Sequence, residues 1–166
     1  MFGFALHRLT LTGPRKAPAE VMFTRGLNVI AGPSDSGKSF IAQCINFALG
    51  GGDAPKDIPE AEGYTTVILE IESNLDKRAY KLERGIRGGE VRCTTEGKPV
   101  RILSAKHQGG KEDTVSQFLL DLSGLGTKRI RTNEQGKTRP LSFRDLARLV
   151  MIDEESVIKE TSPVLS

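Results

Sequence analysis

The sequence contains no tryptophan, two tyrosines and seven phenylalanines, so aromatic residues make up only 5% of its 166 positions. That leaves few rings for the stacking platforms on which single-stranded nucleic acids are held. Cysteine is almost as scarce: Cys44 and Cys93 are the two present. Their wide separation excludes a metal knuckle or a close-spaced redox pair, and both read as buried thiols in a reducing compartment. The two histidines, His7 and His107, stand without cysteine or carboxylate partners at ligand spacing, so they read as surface or strand residues rather than metal ligands. No apolar run approaches membrane-spanning length. The first eleven residues, interrupted by His7 and Arg8, are too short for a signal peptide, so a cytoplasmic protein is expected. A net charge of +3 is too mild to argue by itself for a nucleic-acid partner. No internal repeat or low-complexity tract is present.

The length suits one domain able to bury a core. Hydrophobic residues at 37% and charged residues at 27% point to a soluble chain with much exposed surface or with neighbours missing from it. Phe4 to Leu11 alternates as a strand, a Gly/Pro-bearing basic loop runs from Thr12 to Pro18, and Glu20 to Phe23 is the candidate hairpin partner. Leu27 to Ala31 reads as a short strand buried on both faces. Apolar residues from Phe40 to Leu49 recur at helical spacing and Gly50-Gly51-Gly52 ends that helix. Asp53 to Gly63 reads as an exposed loop. Thr65–Ile71, Arg78–Arg84 and Glu90–Thr95 form a predicted antiparallel meander, with Val100–Leu103 as an edge strand.

Beyond the meander, Asp113 is placed to cap a helix over Thr114–Leu122 whose buried stripe is Val115, Phe118, Leu119 and Leu122. Lys128–Asn133 and Gly136 suggest a basic hairpin. Ser142 and Asp145 have capping-box spacing ahead of a second helix carrying Leu146, Leu149 and Val150.

Between the predicted strand and helix lies Gly32-Pro33-Ser34-Asp35-Ser36-Gly37-Lys38-Ser39, which fits G-x-x-x-x-G-K-[ST] in the context that gives the pattern its meaning. Glycines let backbone N–H groups converge on phosphate oxygens, and the helix N-terminus adds its partial positive charge. Lys38 is the candidate catalytic residue, reaching β- and γ-phosphates, and the Ser39 hydroxyl is a candidate magnesium ligand. The candidate nucleotide contacts run from Gly32 through Phe40. Asp35 is an anion among residues that meet anions; aspartate tolerates left-handed backbone, so it is expected to hold the loop's shape with its carboxylate outward. ATP with Mg2+ is the expected ligand.

The run Phe23-x-x-Gly26-Leu27-Asn28-Val29-Ile30-Ala31 followed by that loop resembles the N-terminal head segment of SMC-like ATPases of the ABC class, the group that includes SMC, SbcC, RecN and RecF proteins. Ser34 and Asp35 stand where the family usually has Asn-Gly. The resemblance implies an α/β P-loop half-domain of ABC/SMC-head type: a mixed sheet with an antiparallel meander and two or three helices. It would span residues 1–166, with the P-loop at 32–39, the meander at about 64–103 and helices at about 38–49, 114–122 and 142–152. It further implies that Arg15 or Lys16 reaches the nucleotide. It places Asp153, in Leu149-Val150-Met151-Ile152-Asp153-Glu154-Glu155, where the family's magnesium-sensing glutamine stands.

Missing are a second apolar strand ending in Asp-Glu, a Ser-Gly-Gly signature and a downstream switch histidine. In the family these belong to a C-terminal half, and the signature acts from a second head. The expected partners are therefore that half and that head, with little ATP hydrolysis by the chain alone. The family's roles are DNA repair, chromosome maintenance and defence against foreign DNA. Two alternatives stay open: a self-contained NTPase using Asp153 and Glu154 as a Walker B pair, and a non-hydrolysing DNA-binding or interaction module. Lys128 to Arg148 holds seven basic residues, either a surface for DNA phosphates or a solvated face.

Overall fold

The computed structural model describes residues 1–106, 113–133 and 136–151. Six strands form one sheet in the order β2-β1-β3-β4-β5-β6: β1 (Phe4–Gly13), β2 (Lys16–Met22), β3 (Thr66–Ser73), β4 (Ala79–Gly85), β5 (Val91–Thr94) and β6 (Arg101–Leu103). Every neighbouring pair is antiparallel. The expected meander is thus β3 to β6. The β1–β2 hairpin extends it on the other side because β1 pairs with β3 from Phe4↔Ser73 to Thr12↔Thr66. Helix α1 is Lys38–Ala48, α2 is Val115–Leu122 and α3 is Phe143–Val150. A separate two-stranded ribbon pairs β7 (Arg129–Arg131) with β8 (Thr138–Pro140); it is the basic hairpin expected from the sequence.

Strand alternation decides which face is buried. Val67, Leu69 and Ile71 of β3 share a face with Leu9, Leu11, Leu82, Val91 and Cys93, and all are buried. α1 packs on β3 and β4 with Phe40, Cys44, Phe47 and Ala48 turned inward. Phe118 of α2 meets Tyr80 of β4 edge-on at 5.1 Å between ring centroids. Burying this set is the main favourable term in the fold, at about 25 cal/mol per Å² of apolar surface.

Several details differ from the sequence expectation. The run Leu27–Ala31 is not a strand and is not buried: Leu27 is 88%, Val29 76% and Ile30 42% exposed. A lone strand leaves its N–H and C=O groups without partners, and no strand among the described residues lies beside this one. The cap of α2 is Thr114, whose side chain accepts the Gln117 N–H at 3.0 Å. Asp113 instead pairs with Arg101 at 2.8 Å. Lys16 belongs to β2 rather than to a loop, because the β1–β2 turn is tight. The Ser142–Asp145 capping box forms as expected. Yet Leu149 and Val150 face solvent, and α3 buries Phe143 and Ala147. His107 and Ile152 to Ser166 lie outside the described residues.

One buried charge ties the layers together. Arg84 is only 5% exposed, because β4 alternation puts it on the same face as Leu82. Its guanidinium donates to the carbonyls of Phe47 and Gly51, each at 2.7 Å, and to Gly89 O at 3.2 Å. It also stacks on the Phe47 ring, 3.8 Å from the centroid. From α3, Arg144 reaches the same helix end, donating to the Asn46 side chain and to Leu49 O at 3.2 Å. Burial lowers the pKa of both guanidiniums, and carbonyls at the negative end of α1 offset that cost.

Arg84→Ala should cost about 2–4 kcal/mol, since it strands buried carbonyls and opens a cavity. Urea unfolding would read the loss, and a change below about 1 kcal/mol would contradict the clamp. A second expectation concerns acid. Arg139 grips Asp145 through two bonds at 2.9 and 2.7 Å, and these, with the Ser142 N–H and the Arg139 and Arg148 charges, outweigh the opposing effect of burial and lower the Asp145 carboxyl pKa. A depressed folded-state pKa stabilises above the unfolded value of about 3.9 and is lost as pH falls through the folded value. Arg139→Ala should therefore lower stability at neutral pH and flatten its acid dependence below about pH 4; equal acid slopes in urea melts of variant and parent would refute this.

Candidate nucleotide-binding site

Residues 24–37 leave the sheet and return into α1. The start of this excursion is clipped: the Asn28 side chain accepts from Thr24 N–H at 2.9 Å and donates to Thr24 O at 2.8 Å. Arg25 reaches back to Glu72 on β3. Two residues of the loop that follows have positive φ, Asp35 at 59° and Gly37 at 81°. Gly37 stands at the cap position of α1 with no side-chain cap bond, a conformation that glycine adopts at no steric cost. Asp35 has the left-handed geometry expected of it.

The first helix-closing bond of α1 runs from Ile41 N–H to Gly37 O at 3.0 Å. Among the described residues no acceptor meets the N–H groups of Lys38, Ser39 and Phe40. They are the orphan donors of a helix start, joined here by a lysine and a hydroxyl. Lys38 Nζ donates to Gly32 O at 2.8 Å, to Pro33 O, and to Ser36 Oγ at 3.1 Å. Ser36 Oγ donates in turn to Pro33 O at 2.8 Å. The ammonium group is thus drawn over the loop rather than out to solvent, while Ser39 remains exposed at the helix start. Free amides, a helix dipole, an ammonium and a hydroxyl fit a polyphosphate with its divalent cation.

The other candidates fall elsewhere. Lys16 Nζ donates to Glu60 O at 2.9 Å and to Glu62 O, and lies 4.5 Å from the centroid of the Tyr64 ring. It fastens the hairpin tip to the 3-10 turn Pro59–Ala61. Arg15 sits exposed in the β1–β2 turn; neither residue bonds to the loop. Asp153 and Glu154 lie outside the described residues. No group of three or more His, Cys, Asp or Glu side chains is placed to hold a metal among the described residues. Of the basic set from Lys128 onward, Arg139 is taken by Asp145, Arg144 by α1 and Arg129 by Thr138. A surface concavity of about 370 Å³, lined by His7, Glu70, Glu72, Tyr80 and Lys81 among others, is not at the loop. Its Glu70 and Lys81 are engaged by Arg8 at 2.7 Å and by Glu83 at 3.1 Å, and the His7 ring lies 3.6 Å from Glu72, whereas the free helix amides are at the loop.

Sequence reading missed the pair that fixes the far end of α1, Arg84 and Arg144. A signal existed for Arg84: an arginine in step with Leu82 on a core-facing register is a buried charge that must find acceptors.

Fold and site together define a P-loop α/β lobe. The chain belongs to the AAA domain family, whose match covers residues 9–161, and it is thereby a nucleotide-binding domain of the ATPase class. A solved structure from work on the ATP-driven dimerization and DNA-stimulated activation of SMC ATPases is similar over 90% of this chain and 93% of that chain, with 16% identity and a TM-score of 0.45. No curated protein matches. No helix among the described residues is long and apolar enough to cross a membrane.

The depth at which α1 is seated is measurable through Cys44. Burial raises this thiol to about 12, and the side chain is fully covered. At pH 8 a thiol reagent should label neither Cys44 nor buried Cys93 until the chain unfolds in denaturant. Rapid labelling of Cys44 in the native protein would show that the helix is not held against the sheet.

Proposed function

We propose that this chain is the Mg-ATP-binding N-terminal lobe of an SMC-like ATPase. The observation that carries the reading is the turn at residues 32–39, where unpartnered amides of Lys38, Ser39 and Phe40 open a helix beside the Lys38 ammonium. Lys38 would exchange its loop carbonyls for β- and γ-phosphate oxygens, and Ser39 would ligate magnesium. The bound cation supplies neutralisation of phosphate charge; the chain's part is to hold and orient the triphosphate.

Supporting a half-site is the exposure of Leu27, Val29 and Ile30 immediately before the loop. A strand-competent apolar run without partners among the described residues is what a lobe presents when its neighbouring strands come from a C-terminal half of the head. Hydrolysis would then await residues of that half and of a second head, and the chain alone turns ATP over hardly at all. Work on DNA in repair, chromosome maintenance or defence follows from the sequence resemblance, and Lys128, Lys137 and Arg148 are among the exposed basic residues that offer phosphate contacts.

Calorimetry with Mg-ATP tests the reading. The parent chain should release or absorb binding heat at millimolar nucleotide or below, and Lys38→Ala should abolish it with unchanged circular dichroism. Silence from the parent would instead favour a module that binds no nucleotide.

A further inference from the structure

Within residues 32–39 the chain places two charges, Lys38 and Asp35. The lysine is explained by the phosphates it would meet; the aspartate is not. Asp35 is exposed, has φ 59° and makes no hydrogen bond or ion pair among the described residues. The left-handed backbone accounts for a residue from the small set of glycine, asparagine and aspartate. It does not account for the charge, because glycine carries no steric penalty there and asparagine has the same tolerance while neutral. The carboxylate is therefore an electrostatic feature added to a turn that two uncharged residues would shape equally well.

Asp35 and Lys38 are three positions apart, so the chain itself keeps the Asp35 Cα within roughly 11 Å of the first free amides. That bound exceeds the Debye length of about 8 Å at physiological salt but lies well inside the roughly 30 Å at 0.01 M, so the interaction is expressed at low ionic strength. A triphosphate held on those amides feels the carboxylate, and the repulsion grows with the charge of the ligand. In water of low ionic strength, at a separation of about 10 Å, it weakens binding on the order of twofold for each unit of ligand charge. The magnesium complex of a nucleoside triphosphate carries about two fewer negative charges than the free nucleotide.

We propose that Asp35 makes this loop discriminate against free nucleoside triphosphate in favour of its magnesium complex. The inference rests on the nucleotide-binding reading above and specifies which form of the ligand that site selects. Lys38 attracts both forms; Asp35 penalises the more highly charged one more.

The test measures dissociation constants by calorimetry for ATP with excess magnesium and for ATP with EDTA, in the parent chain and in Asp35→Asn and Asp35→Gly, at low ionic strength. Both substitutions suit φ 59°, so circular dichroism and thermal midpoints should stay close to the parent. Expected is tighter binding of free ATP by both variants, with the preference for the magnesium complex reduced on the order of fourfold, a difference that shrinks in high salt. An unchanged ratio, or equal gains for both ligand forms, overturns the role of Asp35 while leaving nucleotide binding intact. If the parent chain binds neither form at millimolar nucleotide, the nucleotide reading itself falls, and this inference with it.

Discussion

Arg84 carries a full positive charge into the core, where no carboxylate among the described residues meets it. Its partners are the carbonyls of Phe47, Gly51 and Gly89 and the face of the Phe47 ring. A buried cation without such acceptors would cost several kcal/mol, so sheet and helix can approach only where β4 delivers the guanidinium to the C-terminal end of α1. That requirement sets the position of α1 along the sheet. Arg144 reaches the same helix end from the opposite direction, which brings α3 into the same arrangement.

The result is a helix with two unlike ends. At its C-terminus the carbonyls are engaged by arginines and by the turn at Gly50, whose φ of 90° ends the helix. At its N-terminus the amides are free among the described residues, and the loop before them is clipped through Asn28, Ser36 and Lys38 and tied to β3 by Arg25. Because the far end is anchored in the core, the near end is held at a fixed place on the surface with its dipole directed outward. A binding loop on a rigid scaffold is what anion recognition by backbone amides requires.

The same division explains the exposed run before the loop. Leu27, Val29 and Ile30 have the composition of a buried strand, and the composition is sound as far as it goes. Strand formation, however, depends on hydrogen-bond partners in a second segment, and the sheet assembled by the described residues is built on the other side of the hairpin. Leu149 and Val150 behave similarly, apolar in pattern but left in solvent by the way α3 lies on α2.

Local signals in the sequence were sufficient for the glycine-bounded loop before α1, the helix after it, the meander and the Ser142 capping box, because each depends on residues a few positions apart: glycine freedom, period-2 or 3.6 alternation, a side chain folding back on its own backbone. The left-handed Asp35 was legible for the same reason. What those signals could not contain is where Lys16 would spend its charge, which residue would cap α2 in competition with Asp113's pull toward Arg101, and that Arg84 and Arg144 would converge on one helix end. The lysine and the two arginines meet groups 37 to 95 residues away, and Asp113 is drawn to a strand 12 residues back, so only the tertiary structure decided these outcomes, through the need of every buried charge and every strand edge for a partner that the chain brings near only once it has folded.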